Sequence, residues 1–244
     1  MIAIFKKEIL LFTKNKFNLF TICWLLLFYG YILFFSNYFN LNILESGYAD
    51  FGSFFRISHI IFLIYIPAIA MGSFSEEFKN DTIDILISKP ISKFGLAMGK
   101  FLAIYFIIFL SIIPTLIYPI TIYFIGENTG NLDIGSVIGS YIGLLFLCLA
   151  FTSISIFSSS LSKNQLNSFI IGVVLNLFFF YGFDIISQLF NSGQISLIIQ
   201  EIGMFKHYEL LSKGLISSSD IIYFLSISYI FLFFSKYRIE IKSS

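Results

Sequence analysis

Charge is scarce in this sequence. Asp, Glu, Lys and Arg make up 12% of 244 residues, where a soluble globular domain carries about 25%. There is too little to wet a whole surface, and no Lys/Arg tract is present to hold nucleic acid. Cysteine is nearly missing: Cys23 and Cys148 each lie in an apolar run, without metal-ligand spacing or a disulfide framework. Both read as small core or lipid-facing residues. Histidine is limited to His59 and His207, neither in an H-E-x-x-H arrangement, and no G-x-S-x-G occurs. A phosphate-cradling G-x-x-x-x-G-K-[ST] loop is also missing. The nearest stretch, Gly95 to Phe101, is one residue short between its glycines and has Phe101 where a hydroxyl must sit. The chain thus reads as a non-enzyme with no catalytic or metal-binding residues and no bound cofactor. Serine clusters lie at 158–160 and 217–219. The one enzyme alternative, a Ser217/His207 site on the outer side, lacks an orienting third group.

What is abundant is apolar: 57% of residues are hydrophobic and 33 are Phe. Runs of roughly 20 apolar residues, the length that crosses a bilayer, recur along the chain. The pattern predicts an all-α membrane protein with six transmembrane helices at 18–39, 54–75, 96–125, 136–160, 166–190 and 219–236, forming a single domain over 1–244. The N-terminus is too long in its apolar stretch for a signal peptide and has no small-residue cleavage site. Before it, Ile2, Phe5, Ile9 and Phe12 recur at helical spacing among Lys6, Lys7, Glu8 and Lys14. That pattern predicts an N-terminal interfacial helix over about 2–15.

Basic residues decide the orientation. Lys6, Lys7, Lys14 and Lys16 precede the first span. Lys79, Lys89 and Lys93 lie between the second and third, with Lys100 just inside the third, Lys163 between the fourth and fifth, and Lys236, Arg238 and Lys242 at the end. The alternate connections hold Glu45 and Asp50, and Glu127 and Asp133, with no Lys or Arg. With both termini cytoplasmic, twelve of the 15 basic residues lie inside, the exceptions being Arg56, Lys206 and Lys213. No internal repeat supports an inverted-repeat carrier. Residues 191–218 read as one or two short amphipathic helices, or a plain surface loop, on the outer side.

Residues 76–95 are the most charged segment. Ile83, Leu86, Ile87, Pro90, Ile91 and Phe94 fall on one helical stripe, with Asn80, Asp81, Asp84, Lys89 and Lys93 mostly off it. Asp81 is expected to cap a helix beginning at Thr82, with Asp84 completing a capping box and Pro90 ending it near Ser88. Such a two-turn helix either lies at the lipid interface or plugs a groove on a soluble partner.

Polar residues inside spans form a second set of candidates. Asp184, near the outer end of the fifth span, needs water, a proton or a partner, and Arg56 is at similar depth. Both are candidates for a translocation path or outer gate. Asn176 is a further candidate there, read first as a link between helices. Gly135, Gly139 and Gly143 form a small-residue stripe for internal packing or a dimer face. Pro114 and Pro119 are expected to kink the long third span.

The order Glu77, Thr82-Ile83-Asp84, Leu86-Ile87-Ser88, Pro90-Ile91-Ser92, then Gly99-Lys100-Phe101-Leu102-Ala103, between spans two and three, resembles the type-2 ABC transporter permease family. The stretches 47–55, 67–74, 113–147, 158–165, 181–184 and 207–226 are similar to its gliding-motility-associated permease subunit in Bacteroidota-type bacteria. Asp81 stands where that subgroup has Gly, Gly72 where it has a basic residue, and Ser217 where it has Asp. The resemblance implies that the segment is a cytoplasmic coupling helix. Glu77, Asp81, Thr82, Ile83, Asp84, Leu86, Ile87 and Pro90 would then contact a separate ABC ATPase subunit, which binds the ATP and Mg²⁺. It also implies a second permease copy or related permease, a periplasmic partner as a further candidate, membrane lipid around the spans, and the bacterial inner membrane as the location. Export linked to gliding motility is the implied output. A permease of the nitrous-oxide-reductase-maturation or drug/lipid export type, and a non-transporting scaffold, are the alternatives.

Overall fold

A computed structural model describes residues 1–14, 16–35, 51–88, 91–125, 131–190 and 193–242. Every regular element among the described residues is helical. The chain opens with α1 (Ile2–Lys14) and α2 (Lys16–Phe35). Next come α3 (Gly52–Ala70) and α4 (Gly72–Lys79), which together make one long rod. After α5 (Ile83–Ile87) follow α6 (Lys93–Ile112), a 3₁₀ turn (Ile113–Leu116) and α7 (Ile117–Ile125). Then come α8 (Ile134–Leu161), α9 (Gln165–Leu177), a π turn (Phe178–Gly182) and α10 (Phe183–Ser187). The chain closes with α11 (Gly193–Ile202), α12 (Met204–Leu211) and α13 (Ser218–Lys242).

Among the described residues five rods are long and apolar enough to cross a bilayer: Gly52–Lys79, Lys93–Ile125, Ile134–Leu161, Gln165–Ser187 and Ser218–Ile241. The expected first span, 18–39, lies partly outside the described residues, and its described apolar stretch, Phe20–Phe35, is shorter than a crossing. The second span runs past its expected end to Lys79. Its last residues are charged, yet they continue the helix because α4 buries Phe74, Glu77 and Phe78.

The hub is α8, which touches α3, α4, α6, α9, α12 and α13. Its serines suit that place. Ser153, Ser155, Ser158 and Ser160 are buried, and each hydroxyl donates to a carbonyl three or four residues back. They pack small and leave no donor unmet, so the 158–160 cluster is helix packing. Side-chain caps set the starts of several helices. Ser92 accepts from Gly95 N–H at 3.1 Å, Asp133 from Ser136 N–H at 3.1 Å and Asn164 from Leu166 N–H at 2.9 Å. Pro114 lies in the first turn of the 3₁₀ segment that divides the Lys93–Ile125 rod, as a residue lacking an N–H should.

The helix α1 lies along α6, with Ile4 buried. A Cβ on Gly99 would meet Ile4 and the Met1 carbonyl at 3.2 Å, so glycine is what lets α1 come this close. The inward face keeps Phe5, Ile9 and Phe12 of the expected stripe half-buried and adds Ile4 and Glu8, while Ile2 is exposed.

Candidate functional site

Where α4 ends, the backbone reverses. Asp81 has φ +52, and Thr82 N–H donates back to the Glu77 carbonyl at 3.0 Å. That i to i−5 bond is the helix-terminating pattern whose left-handed residue is usually Gly. It corrects the capping expectation. Asp81 terminates α4 instead of starting α5, and Thr82, which precedes α5, makes no side-chain cap. The resulting α5 has 5 residues, shorter than the two turns expected.

On α5, Ile83 is buried, and Leu86 and Ile87 are half-buried against the core. Asp81, Thr82, Asp84, Ile85 and Ser88 are exposed. The apolar side chain that α5 offers to a neighbour is therefore Ile85, 62% exposed. The sequence stripe passed over it because it lies among polar positions. Lys163, in the α8–α9 connection, approaches Asp81 at 3.9 Å. Pro90 and Lys89 lie outside the described residues.

Behind α5 is a buried ion cluster. Lys100 Nζ, 1% exposed, donates to Glu8 Oε1 at 2.9 Å and to the Ser73 carbonyl at 2.6 Å, and lies 2.9 Å from Glu77 Oε1. Two hydrogen bonds and an ion pair thus surround the ammonium. Lys7 reaches the same Glu77 oxygen at 3.1 Å, and the Phe74 ring lies 5.0 Å from Lys100 Nζ. The cluster ties α1, α4 and α6 together. Glu77, assigned from the sequence to partner contact, is placed inside it. Lys100 and Glu8 went unassigned; the available signal was a lysine two turns inside an apolar helix, which demands a buried acid. Next to the cluster is a cavity of about 410 Å³, lined among others by Glu8, Ser73, Glu76, Glu77 and Lys100.

The α3–α4 junction carries a further device. The Ser159 hydroxyl of α8 accepts from Phe74 N–H at 2.8 Å and Ser75 N–H at 3.2 Å, and donates to the Met71 carbonyl at 3.0 Å. A side chain inserted into a helix ladder is a known cause of kinks, and Pro67 lies one turn earlier. Gln165 at the start of α9 also bonds Glu76. So the α4 part of the rod is held by side chains of α1, α6, α8 and α9.

At the opposite end of the bundle the small-residue stripe packs internally. A Cβ on Gly139 would meet the Gly214 carbonyl at 2.7 Å, and one on Gly143 would meet Leu211 Cβ at 2.5 Å. Ser136 and Ser140 donate to the Lys213 and Ser212 carbonyls at 3.1 and 2.9 Å. Gly135 lies outside that contact. Asn176 is buried and donates to Ser155 at 3.2 Å, linking α9 to α8. Asp184 and Arg56 are not brought together. Asp184 accepts from Gln188 at 3.4 Å, and Arg56 donates to Ser53 at 3.2 Å. Arg56 lines a cavity of about 570 Å³ with His59, Asp133, Tyr208, Glu209 and Lys213. Tyr208, whose phenol burial pushes well up, donates to the Phe55 carbonyl at 2.9 Å.

The Ser217/His207 alternative is not assembled. His207 Nδ1 lies 2.6 Å from Asp220 and Nε2 lies 3.0 Å from the Glu201 carbonyl, while Ser217 pairs with Ser219 at 2.7 Å. Among the described residues no group of His, Cys, Asp and Glu could hold a metal ion.

Long apolar rods around a central helix, with a charged and tightly folded end, define a multi-pass membrane protein. The chain belongs to a family described as ABC-2 family transporter protein, whose model matches residues 2–235. That membership makes it a permease-type membrane component and implies partnership with an ABC ATPase subunit. No curated protein matches the chain.

Proposed function

We propose that this chain is the membrane-spanning subunit of an ATP-driven transporter, and that α5 is the element on which a separate ABC ATPase docks. The ATP and Mg²⁺ belong to that partner. The observation that carries the reading is the exposed Ile85 beside Asp81, Asp84 and Ser88, on a short helix whose other face is anchored in the core. An apolar anchor with an acidic rim suits a groove on a soluble protein. Motion imposed on α5 passes to α4, which the Lys100 cluster and Ser159 hold as one piece, and pivots at Met71 against α3.

In this reading six helices span the bacterial inner membrane with both termini cytoplasmic, and the assembly holds a second copy or a related permease. The Arg56-lined cavity lies at the outer end of the path and Asn176 locks two helices. Export in support of gliding motility is the output, on the strength of the sequence resemblance. The test is affinity purification of tagged chain from native membranes, with mass spectrometry of the eluate. An ATP-binding subunit should accompany the wild type and be lost from Ile85→Asp. Unchanged partners in both would sink the docking assignment.

A further inference from the structure

The 410 Å³ cavity beside the ion cluster has a graded wall. Along α6, Lys100, Ile104 and Ile107 recur at i, i+4 and i+7 and all line it. Along the facing rod, Glu77 and Ser73 give way to Ile69, which also lines it. Both walls therefore run from charged at the end of the bundle to apolar over roughly 10 Å toward its middle. Leu11 of α1 adds to the apolar side.

The polar end has unmet demand. Glu77 Oε2 and the Ser73 hydroxyl are buried with no hydrogen-bond partner among the described residues, and an unpartnered buried polar atom is costly. Five charged side chains line the cavity: Glu8, Glu76 and Glu77 against Lys7 and Lys100, leaving one negative charge over. Lys100 donates to Glu8 and the Ser73 carbonyl and pairs with Glu77 Oε1, leaving Glu77 Oε2 unmet. What fits is a ligand with a positive N–H donor at one end and an apolar body at the other. A soluble amine would leave the Ile69, Ile104 and Ile107 wall wet, and no metal-holding cluster exists here among the described residues.

We propose that this cavity binds an aminophospholipid such as phosphatidylethanolamine. Its primary ammonium would donate to Glu77 and Ser73, and its acyl chain would lie along α6. The proposal rests on the membrane-spanning fold and is independent of whether α5 docks an ATPase.

The full-length protein, purified in detergent and stripped of lipid, is mixed with equal amounts of phosphatidylethanolamine and phosphatidylcholine of identical chains, and bound lipid is counted by native mass spectrometry. The two headgroups share phosphate and chains; only the first has N–H donors. Charge-assisted bonds to a buried carboxylate predict roughly tenfold preference for the amine. The preference should fall with each methyl added to the nitrogen. Ser73→Ala, a mild change, should reduce it and Glu77→Gln should abolish it. Soluble glycerophosphoethanolamine at the same concentration should not displace the lipid. Equal retention of the two lipids in the wild type would overturn the proposal and leave a merely hydrated cavity. Displacement by the soluble headgroup would overturn the lipid assignment.

Discussion

Lys100 Nζ lies 2.9 Å from Glu77 Oε1, joining the start of one span to the end of the span before it. Burying an unpaired ammonium would cost several kcal/mol, and removing one member of such a pair typically costs about 3–5 kcal/mol. Lys100→Ala, which strands Glu8 and leaves Glu77 with Lys7 alone, should destabilise by that order in denaturant unfolding in detergent. Lys100→Met combined with Glu77→Gln should cost clearly less than the two single changes summed, because they share one interaction. Additive losses would mean that the contact contributes little.

The small-residue stripe makes a graded prediction. Gly143→Ala and Gly139→Ala place a methyl 2.5 and 2.7 Å from neighbouring atoms, the second against backbone. Overpacking of this kind costs roughly 1–3 kcal/mol. Gly135→Ala meets only Asp133 at 3.3 Å and should be close to neutral. Thermal unfolding of the three variants should separate them in that order. A dimer face would instead give normal monomer stability and altered oligomer size.

Asp81 tests the turn that ends α4. Its φ of +52 penalises a β-branched side chain, so Asp81→Val should destabilise by about 1–2 kcal/mol. Asp81→Gly should stay within about 1 kcal/mol of wild type, since glycine relieves the strain but loosens the unfolded chain. Equal losses in both variants would point instead to the Lys163 contact at 3.9 Å.

Ser159→Ala leaves the Phe74 and Ser75 N–H groups without their acceptor. A loss of about 1–3 kcal/mol is expected for donors left buried and unmet. In hydrogen exchange, protection should drop at Phe74 and Ser75 more than at residues of α6. Unchanged protection there would show that the helix ladder reforms by itself.

Much of the bundle was legible in the sequence because apolar run length is a local signal. The rod positions from Gly52 onward and the α1 boundary follow it closely. The ion cluster was not legible. Glu8 and Lys100 are 92 residues apart in sequence, and no pattern within one chain pairs them. The α5 assignment failed in detail for a physical reason. Asp81 reads equally as an N-cap or as a helix-ending left-handed residue, and only the Thr82–Glu77 bond decides between them. Ile85 was hidden because helical periodicity marks the buried stripe, whereas Ile85 is on the exposed face.

The docking role of α5 is tested most directly by placing a photo-crosslinking amino acid at Ile85 in the intact membrane, with Leu215 at the opposite end of the bundle as control. Both side chains are about equally exposed, at 62% and 61%, so exposure alone gives no bias. A crosslink from position 85 to an ATP-binding subunit, absent from position 215, is the expected result. Crosslinks from position 85 to lipid alone, or the same protein captured from both positions, would contradict it.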